Sequence, residues 1–187
     1  MKNPDKPVSE TATRILDVAE RMARQGGYNA FSFRDIAKEI GIKSASIHYH
    51  FPTKEDLGEA LVSRYTDRFL DALGQVDGAT PSELLARYVA VYRKALIEQE
   101  LMCLCGMFGA EIAKLPAPVS KRTRAFFERN LDWLESVFKA GNSSDPRRRA
   151  GETIAWLEGA MILARSLNDM DLFDRITAEL PAETLRL

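Results

Sequence analysis

Apolar side chains recur at helical spacing along most of the chain. In the first segment they fall three and four residues apart, on one stripe of a helix: Ala12, Ile15, Leu16, Ala19, Met22 and Ala23. No run rich in Val, Ile and Thr alternates apolar with polar positions, so no strand is predicted. The pattern therefore predicts an all-α protein.

Cap residues divide the first third of the chain into three short helices. Ser9 is placed to cap the first helix, and the glycine pair at 26–27 ends it. Ser32 is placed to cap a second helix, "FRDIAKEI", which Gly41 ends. A third helix, "SASIHYHF", begins after two further residues.

A long helix and a bundle follow these short helices. Thr53 caps the long helix, which covers about 54–76 and leads into a joint at 74–81. The later periodicity predicts helices at about 82–99, 101–114, 119–140, 147–168 and 170–180, with Pro116 and Pro118 stopping the second of them. We expect two domains. Residues 1–54 form a small N-terminal domain packed on the start of the linking helix, and residues 55–187 form the C-terminal bundle.

Charge is distributed unevenly between these two parts. The 187 residues carry a net charge of −1, but residues 1–54 hold nine Lys and Arg against six Asp and Glu. This excess of +3 is weak support for an N-terminal third that faces nucleic acid. No apolar stretch reaches the roughly 18–20 residues of a membrane span, and two cysteines make no disulfide framework. We therefore expect a cytoplasmic protein without membrane contact.

The only two histidines lie in the third short helix. His48 and His50 are two residues apart, so on a helix they point roughly 200° apart and cannot share a cation. No third His exists and the cysteines lie far along the chain, so we expect neither a metal nor a cofactor. A catalytic base would need a nucleophile or carboxylate in a pocket, which a short exposed helix does not offer. The plainest alternative is a pair of solvated polar residues.

Two short helices joined by "GIK", with a third packed across them, are typical of a helix-turn-helix. The second of the pair enters the DNA major groove, and its outward positions here are polar or small. Ile47 and Phe51, four residues apart, anchor it inward. The N-terminus of the helix before it, with Ser32 and Arg34, is placed for a phosphate, and so is Lys54.

Residues 31–62, "FSFRDIAKEIGIKSASIHYHFPTKEDLGEALV", closely resemble the DNA-binding segment of TetR-type transcriptional repressors. The matching positions are Gly41, Ile42, Ser46, Ile47, His50, Phe51 and Lys54. One position departs: His48 stands where the family usually has Tyr, with Tyr49 next to it. The resemblance covers roughly residues 9–73, and the remainder matches only in the number and layout of helices.

The resemblance implies how DNA is read. Base edges would be contacted by Lys43, Ser44, Ala45 and Tyr49. Phosphates would be held mostly by Ser46, His48, His50 and Lys54. Such repressors bind as homodimers, so a palindromic operator is expected.

The resemblance also implies that the C-terminal domain encloses a small-molecule effector and dimerises. Large apolar and mixed side chains are candidates for the effector pocket, although each also suits a plain core: Tyr65, Phe69, Tyr88, Tyr92, Met107 and Phe108. Cys103 joins them because "CLCG" resembles a Cys-Leu-x-Gly stretch in TetR-type repressors of which some sense electrophiles through a cysteine. No cation adjacent in sequence lowers its pKa, so an inert core Cys is the alternative.

The two last long helices are apolar on more than one face, which predicts burial on two sides. By the family's layout they form the dimer interface, with these candidates: Phe126, Trp133, Val137, Trp156, Gly159, Ala160 and Leu163. Internal core helices are the alternative.

Together these observations predict a ligand-responsive DNA-binding repressor, released from a palindromic operator by a small apolar or electrophilic effector, and no enzyme. Two rivals stay open. One is an all-α interaction module with vestigial DNA binding, because His48 replaces the usual Tyr. The other is a small thiol-dependent enzyme, which lacks a visible base near Cys103 or Cys105.

Overall fold

The computed structural model describes residues 9–178 and residue 180, and this part of the chain contains helices and no strand. Nine α-helices follow one another within these described residues: α1 Glu10–Gly26, α2 Phe33–Ile40, α3 Ser44–His50, α4 Lys54–Leu73, α5 Pro81–Arg93, α6 Leu104–Ala110, α7 Ala117–Ala140, α8 Pro146–Ser166 and α9 Met170–Thr177. Two 3₁₀ turns cover Tyr28–Ala30 and Ile112–Lys114, and a π-helical segment, Lys94–Glu98, extends α5. The all-α prediction is confirmed.

The predicted caps form as expected. Ser9 Oγ accepts a hydrogen bond from the Ala12 backbone N–H (3.2 Å). Thr53 and Asp56 make a reciprocal capping box at the start of α4: Thr53 Oγ1 accepts from the Asp56 N–H (3.1 Å), and Asp56 Oδ2 accepts from the Thr53 N–H (3.0 Å). Gly41 ends α2 in the left-handed region at φ 73°, which a glycine adopts without strain.

The region between α5 and α7 differs from the prediction. The α-helical geometry of α5 stops at Arg93 and continues as the π-helical segment, and Glu100 adopts a positive φ of 56°. The helix predicted at 101–114 is therefore shorter, with Cys103 as its N-cap. Pro116 and Pro118 do not stop it but lie at the start of α7, where a missing backbone N–H costs nothing.

One hydrophobic core runs through both parts of the molecule. In the first part, Ile15 of α1, Ile36 of α2 and Ile47 of α3 are fully buried against one another's helices. In the second, the Phe69 ring of α4 lies at the centre of an aromatic cluster, 5.8 Å from the Tyr88 ring and 5.2 Å from the Phe126 ring. Helix α4 contributes to both regions and so links them. The last helix was predicted to cover about 170–180. Helix α9 ends at Thr177, and residue 179 of the predicted range lies outside the described residues.

Candidate nucleic-acid interface

Helices α2 and α3 are held as a pair by α1 and by the turn between them. The Ile42 N–H donates to the Ala37 carbonyl (3.0 Å) across the turn. Arg14 of α1 donates to the Ile40 carbonyl (3.0 Å), and Arg21 of α1 pairs with Glu39 (2.5 Å). These contacts fix α2 on α1, and the burial of Ile47 fixes the inner side of α3. The opposite side of α3 faces solvent.

Small and polar side chains cover this outer side of α3. Lys43, Ser44 and Ala45 are exposed at its N-terminus. Tyr49 is 82% exposed, the largest exposure among the big apolar side chains of the described residues. A side chain of this size is normally buried at least in part, so its exposure on this helix suggests that a partner contacts it. Its ring and hydroxyl suit contact with the edge of a base or sugar.

The two histidines have different surroundings. His48 is exposed, with its Nδ1 3.1 Å from the Pro52 carbonyl and its ring 4.7 Å from the Phe33 ring. The carbonyl accepts, so Nδ1 carries a proton and Nε2 is left as the second polar atom. His50 is half-buried, with its ring edge-on to Tyr49 at 5.1 Å. Within residues 9–178 and 180, no group of three or more His, Cys, Asp or Glu side chains is arranged to hold a metal.

Ser32, Arg34 and Ser46 lie around the N-termini of α2 and α3. Ser32 Oγ caps α2 and donates to Asp35 Oδ2 (2.5 Å), so its hydroxyl is already engaged. Arg34 is exposed in the first turn of α2 and makes no ion pair with a described residue. Ser46 is half-buried in α3. The backbone N–H groups and Arg34 thus form the more accessible anion-binding feature.

Lys54 of α4, which is predicted to contact a phosphate, lies beside two aromatic rings. Its Nζ lies 4.5 Å from the centre of the Tyr28 ring and 4.7 Å from that of Phe31. Burial lowers the pKa of Lys54, while the Glu111 carboxylate opposes this shift. The ammonium is therefore engaged in joining α4 to the segment after α1, by cation–π attraction.

The predicted effector residues separate into two groups. Tyr65 and Phe69 line a cavity of about 280 Å³ between α1, α4 and the π-helical segment, together with Glu20, Arg24, Arg68, Ala72, Val91, Lys94, Ala95 and Gln99. Tyr88, Tyr92, Cys103 and Phe108 are buried in the core and do not line this cavity. Met107 is half-buried at a separate depression beside Met102 and Ile162.

Cys103 is buried beside Glu158, a half-buried residue of α8, in the C-terminal part. Burial and the Glu158 carboxyl raise the pKa of the Cys103 thiol well above its usual range. Burial likewise raises the pKa of Glu158, which accepts a hydrogen bond from the Tyr92 hydroxyl at Oε1 (3.2 Å). The Glu158 side chain packs closely against α6, because a Cβ added at Gly106 would lie 2.2 Å from Glu158 Oε2. Sequence reasoning missed Glu158, although it is the only charged residue within 153–164.

Four of the predicted dimer residues are placed in the chain's own core. Phe126, Val137 and Ala160 are buried, and Trp133 stacks on Tyr88 while its Nε1 donates to the Gly74 carbonyl (2.9 Å). Phe126 packs on Phe69 of α4 and Trp133 on Tyr88 of α5 within the same chain. A role of these four residues in a dimer interface stays a prediction. The other three candidate interface residues, Trp156, Gly159 and Leu163, lie on the outer side of α8.

That outer side of α8 is an uncovered apolar surface. Its large members are exposed between 37% and 65%: Trp156, Ile162, Leu163 and Leu167. Apart from the neighbouring residues and the backbone of α8 itself, no atom of the described residues lies within 4 Å of the position that a Cβ at Gly159 would take, so the stripe is open at its centre. An apolar patch of this kind is typical of an interface between proteins. We refer to these five residues as the α8 outer face.

Comparison with known proteins places this architecture in a family. The family model for bacterial regulatory proteins of the tetR family matches residues 15–61, which span α1, α2, α3 and the start of α4. The crystal structure of a TetR transcriptional regulator from Legionella pneumophila superposes with a TM-score of 0.86 at 35% identity, covering 94% of this chain and 97% of that one.

Two curated relatives match more locally. The HTH-type transcriptional regulator YvkB of Bacillus subtilis is 33% identical over 75 residues, 40% of each chain. The biofilm operon negative transcriptional regulator IcaR of Staphylococcus epidermidis is 33% identical over 60 residues, 32% of each chain. The chain thus aligns with about a third to two fifths of the length of these relatives.

The chain belongs to the TetR family of transcriptional regulators, and its α2–turn–α3 unit is the DNA-binding helix-turn-helix. Regulators of this family bind DNA and dimerise, and its members are transcriptional regulators rather than enzymes. No helix in the described part of the chain is long and apolar enough to cross a membrane.

Proposed function

We propose that this protein is a homodimeric repressor that binds a palindromic operator through α3 and leaves it when a small molecule binds the C-terminal domain. The observation that carries the proposal is the outer side of α3, with Tyr49 standing 82% exposed on a helix whose inner side is fixed. The net charge of +3 over residues 1–54 supports attraction to DNA phosphates. Repression, rather than activation, is supported by the relative named as a negative regulator. Such a protein acts on DNA in the cytoplasm.

The DNA contacts are assigned by exposure and position. Lys43, Ser44, Ala45 and Tyr49 face outward from α3 and are proposed to meet base edges. Ser46, His48, His50 and Arg34, with the N-terminus of α2, are proposed to meet phosphates. Lys54 is also proposed to meet a phosphate, and its ammonium holds the rings of Tyr28 and Phe31 beside α4.

We assign the two proposed functions, DNA binding and ligand binding with dimerisation, to two domains of the chain. Residues 1–54 form the DNA-binding domain, and residues 55–187 form the ligand-binding and dimerisation domain. The α8 outer face pairs with its copy in a second chain, because its exposed side chains gain burial only in such contact. This pairing sets the distance between the two α3 helices, which must fit half-sites about one DNA turn apart.

The effector of this proposal is a non-covalent ligand with an apolar part. An electrophile would need a thiolate, but Cys103 and Cys105 are both buried with pKa values raised well above their usual range. A thiol-dependent enzyme meets the same obstacle, because the neighbouring Glu158 raises the pKa of Cys103 further. The cavity beside Tyr65 and Phe69 offers a site for a small molecule.

A DNA titration tests the proposal. Purified protein is titrated against labelled DNA from immediately upstream of its own gene, with random DNA as competitor. We expect competitor-resistant binding that Tyr49→Ala weakens tenfold or more, since base contacts are each worth about 1–3 kcal/mol. Lys43→Ala is compared with Lys121→Ala, an exposed lysine on α7. Only the first is expected to weaken binding.

Absence of specific DNA binding would contradict the repressor proposal. If folded, dimeric protein binds neither this fragment nor any fragment recovered from a whole-genome pull-down better than random DNA, the vestigial interaction module is the correct description.

A further inference from the structure

The cavity beside Tyr65 lies at the junction between the DNA-binding domain and the C-terminal domain. Helix α1 contributes Glu20 and Arg24, α4 contributes Tyr65, Arg68 and Phe69, and the π-helical segment contributes Lys94. Its volume of about 280 Å³ is near the lower end of the roughly 300–1,000 Å³ that small-molecule pockets occupy. Any ligand bound there touches both domains at once.

The charged lining of this cavity is unbalanced. Three cationic side chains, Arg24, Arg68 and Lys94, face a single carboxylate, Glu20. Glu20 is shared among arginines: its Oε2 accepts from Arg64 (3.1 Å) and from Arg68, and its Oε1 lies 3.4 Å from Arg24. Lys94 is exposed at the rim and makes no ion pair with a described residue. The cavity thus has an excess of positive charge, which favours an anion.

Apart from the Gln99 amide, the rest of the lining is aromatic or aliphatic. The Tyr65 and Phe69 rings lie 6.2 Å apart on one wall, and Ala72, Val91 and Ala95 complete it. A ligand that fits both parts carries a negatively charged head and a short aliphatic or aromatic body. A cationic or strongly polar ligand would leave one of the two parts unmatched.

We propose that the effector is a small amphipathic carboxylate that binds this cavity, with its head on Arg68 and Lys94 and its body against Tyr65 and Phe69. This inference rests on the proposed function, because it names the ligand class for the repressor described above. A planar carboxylate suits the guanidinium of Arg68 through paired charge-assisted hydrogen bonds. The ligand head then competes with Glu20 for the same arginine.

Competition for Arg68 explains how binding would reach DNA. Glu20 ties α1 to α4 through Arg64 and Arg68, while Arg24 ties α1 to the segment before α6, donating to the Met102 carbonyl (2.7 Å) and to Gln99 (3.0 Å). Drawing Arg68 away weakens the α1–α4 connection. Because α1 holds α2 through its own arginines, a shift of α1 carries α3 with it.

The wall formed by residues 94–100 is suited to such a change. It combines a π-helical segment with a positive φ at Glu100, and neither is the lowest-energy backbone form for these residues. A small rearrangement there would move both Lys94 and Gln99 relative to Arg24.

Calorimetry on DNA-free protein tests the inference. The probes are carboxylates of six to twelve carbons, straight-chain and phenyl-terminated, each paired with its neutral amide. We expect the carboxylates to bind and the amides to bind at least tenfold more weakly. Arg68→Gln and Lys94→Gln should each weaken carboxylate binding about tenfold, whereas Arg122→Gln, a similarly exposed arginine that pairs with Glu59, should not.

The outcomes separate this inference from the repressor proposal. Amides that bind as tightly as acids, an unchanged affinity in the exposed Lys94→Gln variant, or no binding by any acid at millimolar concentration would each overturn the carboxylate site. Operator binding is measured independently, without ligand, so its presence or absence bears on the repressor alone. Carboxylates that bind must also weaken operator binding of the wild type and not of Lys94→Gln at equal concentration; otherwise the competition mechanism is wrong.

Discussion

Glu158 is a half-buried residue in an otherwise apolar length of α8, and its carboxyl group is turned toward the core. It faces Tyr92 of α5 and Cys103 at the start of α6, and burial raises its pKa above the ordinary 4.5. The unfolded chain therefore gives up this proton at a lower pH than the folded protein does. The protonated Glu158 carboxyl therefore makes its full contribution to the free energy of unfolding below about pH 4.5. This contribution is lost as the pH rises through the raised pKa of the folded protein.

Glu158→Gln should remove this pH dependence, because the amide is neutral at every pH and has a similar shape. We expect the free energy of unfolding of the wild type, relative to the variant, to fall between pH 4.5 and neutrality, leaving the variant the more stable at pH 8. Urea denaturation at several pH values measures this. Glu128→Gln, an exposed position on α7, serves as the control. Equal pH profiles for the wild type and Glu158→Gln would show that burial does not perturb this carboxyl.

Single residues also mark where sequence reasoning reaches its limit. The side chains that face outward from α3 were predicted correctly as exposed, because helical phase and the anchor Ile47 settle that question locally. The contact of Lys54 with the rings of Tyr28 and Phe31 was not predicted, because these partners belong to a segment more than twenty residues earlier. Glu20 and Arg24 were missed for a similar reason, since their partners come from α4 and from residues 99–102.

At the scale of elements, the helix-turn-helix was largely predictable. Its caps and its glycine turn act within three or four residues, and the bounds of α1 and α2 match the sequence prediction. The opposite holds between α5 and α7, where a π-helical segment and a positive φ interrupt the expected helices. Tertiary contacts, such as Arg24 on the Met102 carbonyl, hold this interruption, and no local pattern encodes them.

The turn between α2 and α3 allows a direct test of its backbone. Gly41 has φ 73° and ψ 35°, and beyond its two chain neighbours no atom of the described residues lies within 4 Å of where a Cβ would be placed. Gly41→Ala should therefore cost about 1–2 kcal/mol of stability through backbone strain alone. Gly41→Asn, which tolerates this region better, should cost less. Chemical denaturation compares the two, and equal losses would show that side-chain space rather than φ limits the position.

At the scale of the whole molecule, four of the five large apolar side chains that are exposed among the described residues belong to the α8 outer face, and α8 packs side by side with α7. Two copies joined there would place four long helices in one interface. The sequence predicted these helices as the interface, but it could not tell which side was free. From the sequence alone, Phe126 and Trp156 are equally suitable interface residues. Only the packing of α7 on α4 and α5 shows that Phe126 is buried within the chain while Trp156 is exposed.

Leu163→Glu places a charge in the middle of the α8 outer face. We expect this variant to have the mass of one 21.0 kDa chain in light scattering while keeping its helical content, because an unpaired buried carboxylate opposes association. Ala86→Glu, at an exposed position of α5, should leave the dimer intact. A Leu163→Glu protein that remains dimeric would assign dimerisation to another surface.

The most direct test of a dimeric, α3-reading regulator is selection of binding sites from a randomised DNA library. We expect the wild type to enrich an inverted repeat whose half-sites are centred about one DNA turn, roughly 10 base pairs, apart. Tyr49→Ala and the monomeric Leu163→Glu should each lose that enrichment. Enrichment of a sequence without two-fold symmetry, or of the same repeat by Tyr49→Ala, would contradict the assignment of α3 and of the dimer that positions it.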